Sequence, residues 1–217
     1  MGDMREKPNP SVPKAVIRRL SLYLRELQRL QGEGLETTSS TRLGQRLGVT
    51  DAQIRKDLAH FGQFGYPGIG YRCAELIGTI KVILGTDRAW PVAVAGVGNL
   101  GRALLRYKGF EKQGFRIVAA FDVAETLIGE PIEGIRVHNL NEASEVIAKL
   151  GIRLAILAVP AAAAQEVASS LVAAGIEGIL SFAPTIIPLP DHVRSVRVDL
   201  AIELEQLSFA VVNRRQK

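Results

Sequence analysis

The chain has 217 residues, enough for one or two domains, and its 47% hydrophobic and 23% charged content supports a globular core. Its single cysteine, Cys73, excludes an intramolecular disulfide, and no basic-headed apolar leader or long unbroken apolar run points to export or a membrane span, so a soluble cytoplasmic protein is expected. The net charge of +5 is uneven: residues 1–80 hold twelve Lys/Arg against eight Asp/Glu, residues 81–217 fifteen against fourteen, which places a basic excess on the first third.

Residues 1–10 are polar and proline-bearing and read as a frayed tail. Ser11 and Pro13 open a helix in which Val16, Leu20, Tyr23, Leu24, Leu27 and Leu30 recur at helical spacing, ended by Gly32 and Gly34. A polar patch at 37–40 precedes a short helix around Arg42–Leu47 and a turn, Gly48-Val49-Thr50. The next helix, over 51–61, starts with Thr50 as cap and Gln53 completing a capping box. Ile54, Leu58 and Phe61 share its buried face, and Lys56 projects opposite with Arg55 flanking it. Glycines then punctuate 62-GQFGYPGIGY-71, which predicts a tight hairpin. A helix through Leu76, Ile77, Ile80 and Leu84 leads to a linker at Gly85-Thr86-Asp87. Beyond it, 92-VAVA-95, 116-RIVAAF-121, 154-LAILAV-159 and 178-GILSF-182 alternate with helical stretches, the pattern of a doubly wound parallel sheet buried on both faces. Leu200, Leu204, Leu207 and Val211 stripe a final helix.

Two sites follow from this layout. Gly96-Val97-Gly98-Asn99-Leu100-Gly101 lies between an apolar strand and a helix, and Asp122 ends the next strand 21 positions after Gly101. Glycines there let backbone approach a pyrophosphate at a helix N-terminus, and the carboxylate accepts from ribose hydroxyls while opposing a 2′-phosphate, so NAD(H) is expected over NADP(H). Val159, Pro160 and Phe182, at the ends of later strands, are candidates to finish the pocket, and Tyr107 to reach a bound ring or to serve as core. The helices at 42–47 and 51–61 have helix-turn-helix spacing, and the 62–71 hairpin adds a wing. Gln53, Arg55 and Lys56 lie where a recognition helix meets base edges, and Ser39, Ser40 and Thr41 where hydroxyls meet phosphates.

Together these segments resemble the Rex family of redox-sensing transcriptional repressors, through 38-TSS-40, 53-QIRKDLAHFGQFGYPGIGY-71, 96-GVGNLG-101, 121-FD-122, 158-AVP-160, 175-GIEGILSFAP-184 and 198-VDLAIEL-204. The resemblance implies an α/β chain: a winged helix-turn-helix domain over 1–84 (helix-turn-helix about 22–61), a Rossmann-like NAD(H) domain over 85–198, and a domain-swapped C-terminal helix over 199–217. It further implies a homodimer on a palindromic double-stranded operator, released by NADH, with no catalytic residues, no metal and no membrane partner. Arg55 and Lys56 fall where the family reads bases, Tyr107 near the nicotinamide, and Arg25 and Asp199 on a pair that bridges subunits. Tyr66-Pro67 replaces the basic wing tip usual in relatives, and Ser181 stands where they often carry Asn. The competing reading is a small NAD-dependent dehydrogenase with an appended dimerisation module. It requires an acid or base near the nicotinamide, for which His60, His138 and His192 are poorly placed. Cys73, near the start of an apolar helix, reads as core rather than as a thiol sensor.

Overall fold

The computed structural model describes residues 12–214. The tail expected over 1–10, and Ser11, lie outside the described residues, as do 215–217. The chain divides into two compact units, Met1–Arg88 and Ala89–Lys217.

The first unit is helical. Pro13 precedes α1 (Lys14–Gly32), and with its φ of −62° it enters the helix without needing a side-chain cap. A two-residue strand β1 (Thr37–Thr38) leads to α2 (Ser40–Leu47), α3 (Asp51–Ala59), β2 (Tyr71–Arg72) and α4 (Cys73–Leu84). Leu20, Tyr23, Leu24, Leu27 and Leu30 of α1 meet Leu43, Ile54, Leu58, Leu76 and Ile80 in one core. Cys73 belongs to it at 1% exposure, and burial pushes its thiol up from the ordinary range. The enclosed sulfur serves as a packing group among these apolar side chains.

The tight hairpin expected over 62–71 is paired at its tip alone. β1 pairs antiparallel with β2, and a single bridge joins Tyr66 to Gly70. Between them Tyr66-Pro67-Gly68-Ile69 forms a tight turn, with Ile69 N–H donating to the Tyr66 carbonyl and Gly68 at φ +78°. Proline followed by a left-handed glycine is what a type II turn requires.

The second unit is one seven-stranded sheet of order β5-β6-β4-β3-β7-β8-β9. Its strands are β3 (Trp90–Ala95), β4 (Phe115–Asp122), β5 (Pro131–Ile132), β6 (Ile135–Asn139), β7 (Leu154–Leu157), β8 (Gly178–Ser181) and β9 (Arg194–Arg197). Only β5 pairs antiparallel. The six parallel strands run β6-β4-β3-β7-β8-β9, the doubly wound dinucleotide order, with its switch point between β3 and β7. Helices α5 (Asn99–Arg106), α6 (Gly109–Lys112), α7 (Ala143–Leu150) and α8 (Ala161–Ala173) are interleaved with them, and α9 (Leu200–Asn213) ends the described chain.

Strand pleating explains the unbroken apolar runs. Ala93, Ala95, Ala119, Phe121, Ala155 and Leu157 enter one core with residues of α7 and α8. Val92, Val94, Ala120 and Ile156, their alternate neighbours, enter a second core with Leu105 of α5. A strand buried on both faces has no polar position to alternate with. α9 differs from every other long helix. None of its residues is buried, and Leu204, Leu207 and Phe209 are 60–71% exposed. Among the described residues no helix is long and apolar enough to cross a membrane.

Candidate nucleotide-binding and DNA-binding sites

The glycine loop leaves the carboxyl end of β3 and enters α5 at Asn99. Gly96 sits at φ +91°, and a Cβ there would lie 2.5 Å from the Ala158 carbonyl oxygen, so the turn tolerates no larger residue. A Cβ on Gly101 would lie 1.9 Å from the Gly96 carbonyl oxygen, which presses α5 directly onto the loop. Gly98 differs: a Cβ there meets nothing within 4 Å. It is the N-cap of α5 and supplies no side-chain hydrogen bond. The first N–H groups of a helix have no partner inside it, so this end offers donors, positive dipole and open space to an anion.

Asp122 closes the same edge from the end of β4. Its carboxylate accepts from the Val97 N–H at 2.7 Å, the Val123 N–H at 2.8 Å and the Ala124 N–H at 3.0 Å. These bonds fix the carboxylate beside the loop. Val159 and Pro160 follow β7, whose end is stitched to β3 by the Ala158 N–H donating to Ala95, and Pro160 is the N-cap of α8. Phe182 follows β8, half-buried, its N–H donating to Leu157. Ser181 is buried and turned locally, accepting from the Ala183 N–H. The residues of 96–101 with Asp122, Val159, Pro160 and Phe182 therefore gather at the carboxyl ends of adjacent strands around the switch point. This arrangement fits a dinucleotide.

Tyr107 stands apart from that cluster. It is the C-cap of α5, about 12 Å along the helix from the glycine loop by helix rise. The residue is 56% exposed, its ring edge-on to Phe110 at 5.0 Å and seated over Gly109, where a Cβ would collide with it.

In the first unit, α2 and α3 meet across Gly48-Val49-Thr50, with Gly48 in the left-handed region at φ +67°. Gly44, which sequence reasoning passed over, makes the approach possible: a Cβ there would lie 2.5 Å from the Val49 carbonyl oxygen. A glycine inside a short helix was the available signal. Thr50 caps α3 by accepting from the Gln53 N–H, but only half of the expected capping box forms. The Gln53 amide turns inward and donates to Asp57 at 2.7 Å. Gln53, expected among the base readers, is half-buried and spends one amide proton on Asp57.

Its partner Asp57 is a buried carboxylate whose role the sequence concealed. At 1% exposure it accepts from Arg19 through Nε and Nη2, from the Tyr23 hydroxyl at 2.7 Å, and from Gln53. Burial alone raises a carboxyl, but the hydrogen bonds from Arg19, Tyr23 and Gln53 outweigh it and hold Asp57 below the usual range. Burial, then the bond to Asp57, pushes the Tyr23 hydroxyl up. The network clamps α3 to α1.

On the outer face Lys56 is exposed with no ion-pair partner among the described residues. Arg55 is exposed and held by Asp51 and Ser40. Ser39 caps α2 by accepting from the Arg42 N–H, and Thr41 is exposed beside it. Arg25 is exposed on α1, and Asp199 caps α9 by accepting from the Ala201 N–H. Among the described residues no group of three or more His, Cys, Asp or Glu side chains is placed to hold a metal ion.

Comparison with known proteins places both units. The family model described as "Putative DNA-binding protein N-terminus" matches residues 11–59, and that described as "CoA binding domain" matches 87–185. A relative from Roseiflexus sp. (strain RS-1), named redox-sensing transcriptional repressor Rex, is 49% identical over 207 residues, 95% of this chain and 92% of that one. One of the same name from Pelotomaculum thermopropionicum is 47% identical over 206 residues, 95% and 97% of the two chains. A solved structure of RSP with beta-NAD+ and operator DNA superposes with a TM-score of 0.89 at 37% identity, covering 96% of each chain. RSP with beta-NADH gives 0.85 at 36% identity, covering 96% of this chain and 98% of that one. With likeness of this degree along nearly its whole length, the chain belongs to the Rex family of redox-sensing transcriptional repressors.

Proposed function

We propose that this chain is a cytoplasmic homodimeric repressor that holds a palindromic operator through its two α3 helices and lets go when NADH occupies the nucleotide cleft. The observation that carries the reading is the combination, in one chain, of a glycine-capped α5 beside a fixed Asp122 and a helix-turn-helix that presents Lys56 and Arg55. The solved complexes of the RSP relative, one with beta-NAD+ and operator DNA and one with beta-NADH, support an oxidised cofactor compatible with DNA.

In this reading Lys56 and Arg55 read bases, and the hydroxyls of Ser39, Ser40 and Thr41 take phosphates. Gln53 acts indirectly, by holding Asp57. The N–H groups of 98–101 bind the pyrophosphate, and Asp122 takes the adenosine ribose and repels a 2′-phosphate. Val159, Pro160 and Phe182 wall the nicotinamide side with apolar surface. The cofactor supplies a ring whose charge depends on its redox state, neutral when reduced and cationic when oxidised. Apolar walls that exclude water favour the neutral form, because burying an unpaired cation is costly. Tyr107 acts on that ring in the closed dimer, from its exposed seat over Gly109. The C-terminal helix, over 199–217, crosses to the partner subunit, and an Arg25–Asp199 contact between subunits braces the DNA-competent arrangement. NADH shifts the dimer only by its differential affinity for the two arrangements.

Selection of bound duplexes from random DNA tests the DNA half. The expected product is a palindrome whose half-sites lie about one helical turn, roughly 34 Å, apart. Recovery of no enriched sequence would overturn the reading.

A further inference from the structure

Arg55 is not a free side chain on the recognition helix. Its Nη1 donates to Asp51 Oδ2 at 2.6 Å and to Ser40 Oγ at 3.0 Å. A guanidinium Nη carries two protons, so this nitrogen is fully spent. Nε and Nη2 have no partner among the described residues. Those two nitrogens form one edge of the plane, and the same edge of Arg19 grips the two oxygens of Asp57. Such an edge matches the O6/N7 pair of guanine in the major groove. The restraint comes from two directions, Asp51 one turn earlier on α3 and Ser40 at the start of α2.

The pair does little for stability. The side chains are 55% and 41% exposed, and ion pairs that open to water contribute almost nothing. An acidic residue facing a polyanion also works against affinity. Asp51 does stay anionic at neutral pH, since the Arg55 guanidinium and the Ala52 N–H hold its carboxyl below the usual range. Asp51 also suits the N-terminus of α3, where its Oδ1 accepts from the Ala52 N–H, but that role leaves its Oδ2 and the bond to Arg55 unaccounted for.

We infer that Asp51 is a positioning and specificity-determining residue: by occupying Arg55 Nη1 it turns the Nε/Nη2 edge toward the bases and keeps the guanidinium from swinging to a phosphate. Without that tether, a flexible arginine next to DNA takes the nearest backbone oxygen, a contact that carries no sequence information. Asp51 thus trades affinity for discrimination. The inference rests on Arg55 being a base reader.

The test uses the full-length dimer, the selected operator, and a scrambled duplex of equal length. Asp51→Asn retains an acceptor for the Ala52 N–H, and Asp51→Ser is the second variant should the first melt early. In either, binding to scrambled DNA tightens, and the operator-to-scrambled affinity ratio falls about tenfold, the size of one lost bidentate base contact. Arg55→Lys lowers the ratio by itself, and adding Asp51→Asn to Arg55→Lys lowers it no further. Equal tightening on both duplexes, with the ratio intact, would overturn the inference and leave Asp51 a mere repulsive charge. An undiminished effect of Asp51→Asn in the Arg55→Lys background would also overturn it. A ratio unaffected by Arg55→Lys alone identifies the base-reading role as the part that failed, and the inference falls with it.

Discussion

Removing the Asp57 carboxylate leaves Arg19, Tyr23 and Gln53 directed at nothing. Arg19 keeps some access to water, so the cost falls mainly on the buried Tyr23 hydroxyl, and a buried polar group left without its partner costs about 1–3 kcal/mol. Asp57→Ala is therefore expected to lower the urea midpoint of the first unit strongly and to abolish operator binding, whereas Lys56→Ala leaves the midpoint in place. The pH dependence has a definite sign. Asp57 has its carboxyl lowered by folding, so the stability it contributes is present above the unfolded value, about 3.9, and is lost as pH falls through the lower folded one. Unfolding followed between pH 7 and 2 should show this acid limb, flattened in Asp57→Asn. Gly96→Ala gives the matching test in the second unit. At φ +91° and 2.5 Å from the Ala158 oxygen, an added methyl distorts the loop, so NADH binding by calorimetry should weaken at least tenfold while operator binding persists. The glycines and Asp122 were legible in the sequence because their chemistry is local and fixed in spacing. Asp57 was not, because a charged residue on a helix reads as a solvated face until the partners on α1, 34 and 38 positions earlier, are brought to it.

Among the elements, α9 makes the plainest demand on a second chain. Leu200, Leu204, Leu207 and Val211 form the stripe read from the sequence, and Ile202 and Phe209 add an opposite apolar face, all of them exposed in one chain. Exposed apolar surface of that extent marks an interaction site. A chain ending at residue 198 should sediment as a monomer and lose operator affinity by orders of magnitude, while the full-length chain sediments as a dimer at micromolar concentration. On α3, Lys56→Ala should weaken binding, and if Lys56 contacts phosphate rather than base, the log–log salt slope falls by about one. The strands of the second unit that were recognised from sequence are those buried on both faces. β5, β6 and β9 were not read among them: β5 and β6 are short, and β9, Arg194–Arg197, is exposed at every position with Val196 its one apolar residue, its register set by pairing with β8. The wing was read as a tight hairpin over 62–71, and its paired part is the Tyr66–Gly70 bridge within that range. Glycine density marks turns but does not count the paired residues between them.

For the whole molecule, the strand order β6-β4-β3-β7-β8-β9 places the glycine loop, Asp122, Val159 and Phe182 on one edge, although they span 87 positions of sequence. That convergence follows from the parallel pairing of the strands and from the single reversal of winding between β3 and β7. The periodicities gave the class of sheet. The order itself lies in long-range pairing, which no local pattern encodes. Each unit is complete for one task, one for a duplex and one for a dinucleotide, and the account requires the dimer to couple them. Fluorescence anisotropy of labelled operator bound to the full-length dimer, titrated in parallel with NADH and NAD+, measures that coupling directly. The account predicts that NADH releases the operator, that NAD+ leaves it bound, and that Asp122→Ala blunts the response to NADH. Release by NAD+ with NADH inert, or an operator complex indifferent to both, would show that the nucleotide cleft does not govern the DNA-reading helices in the way described.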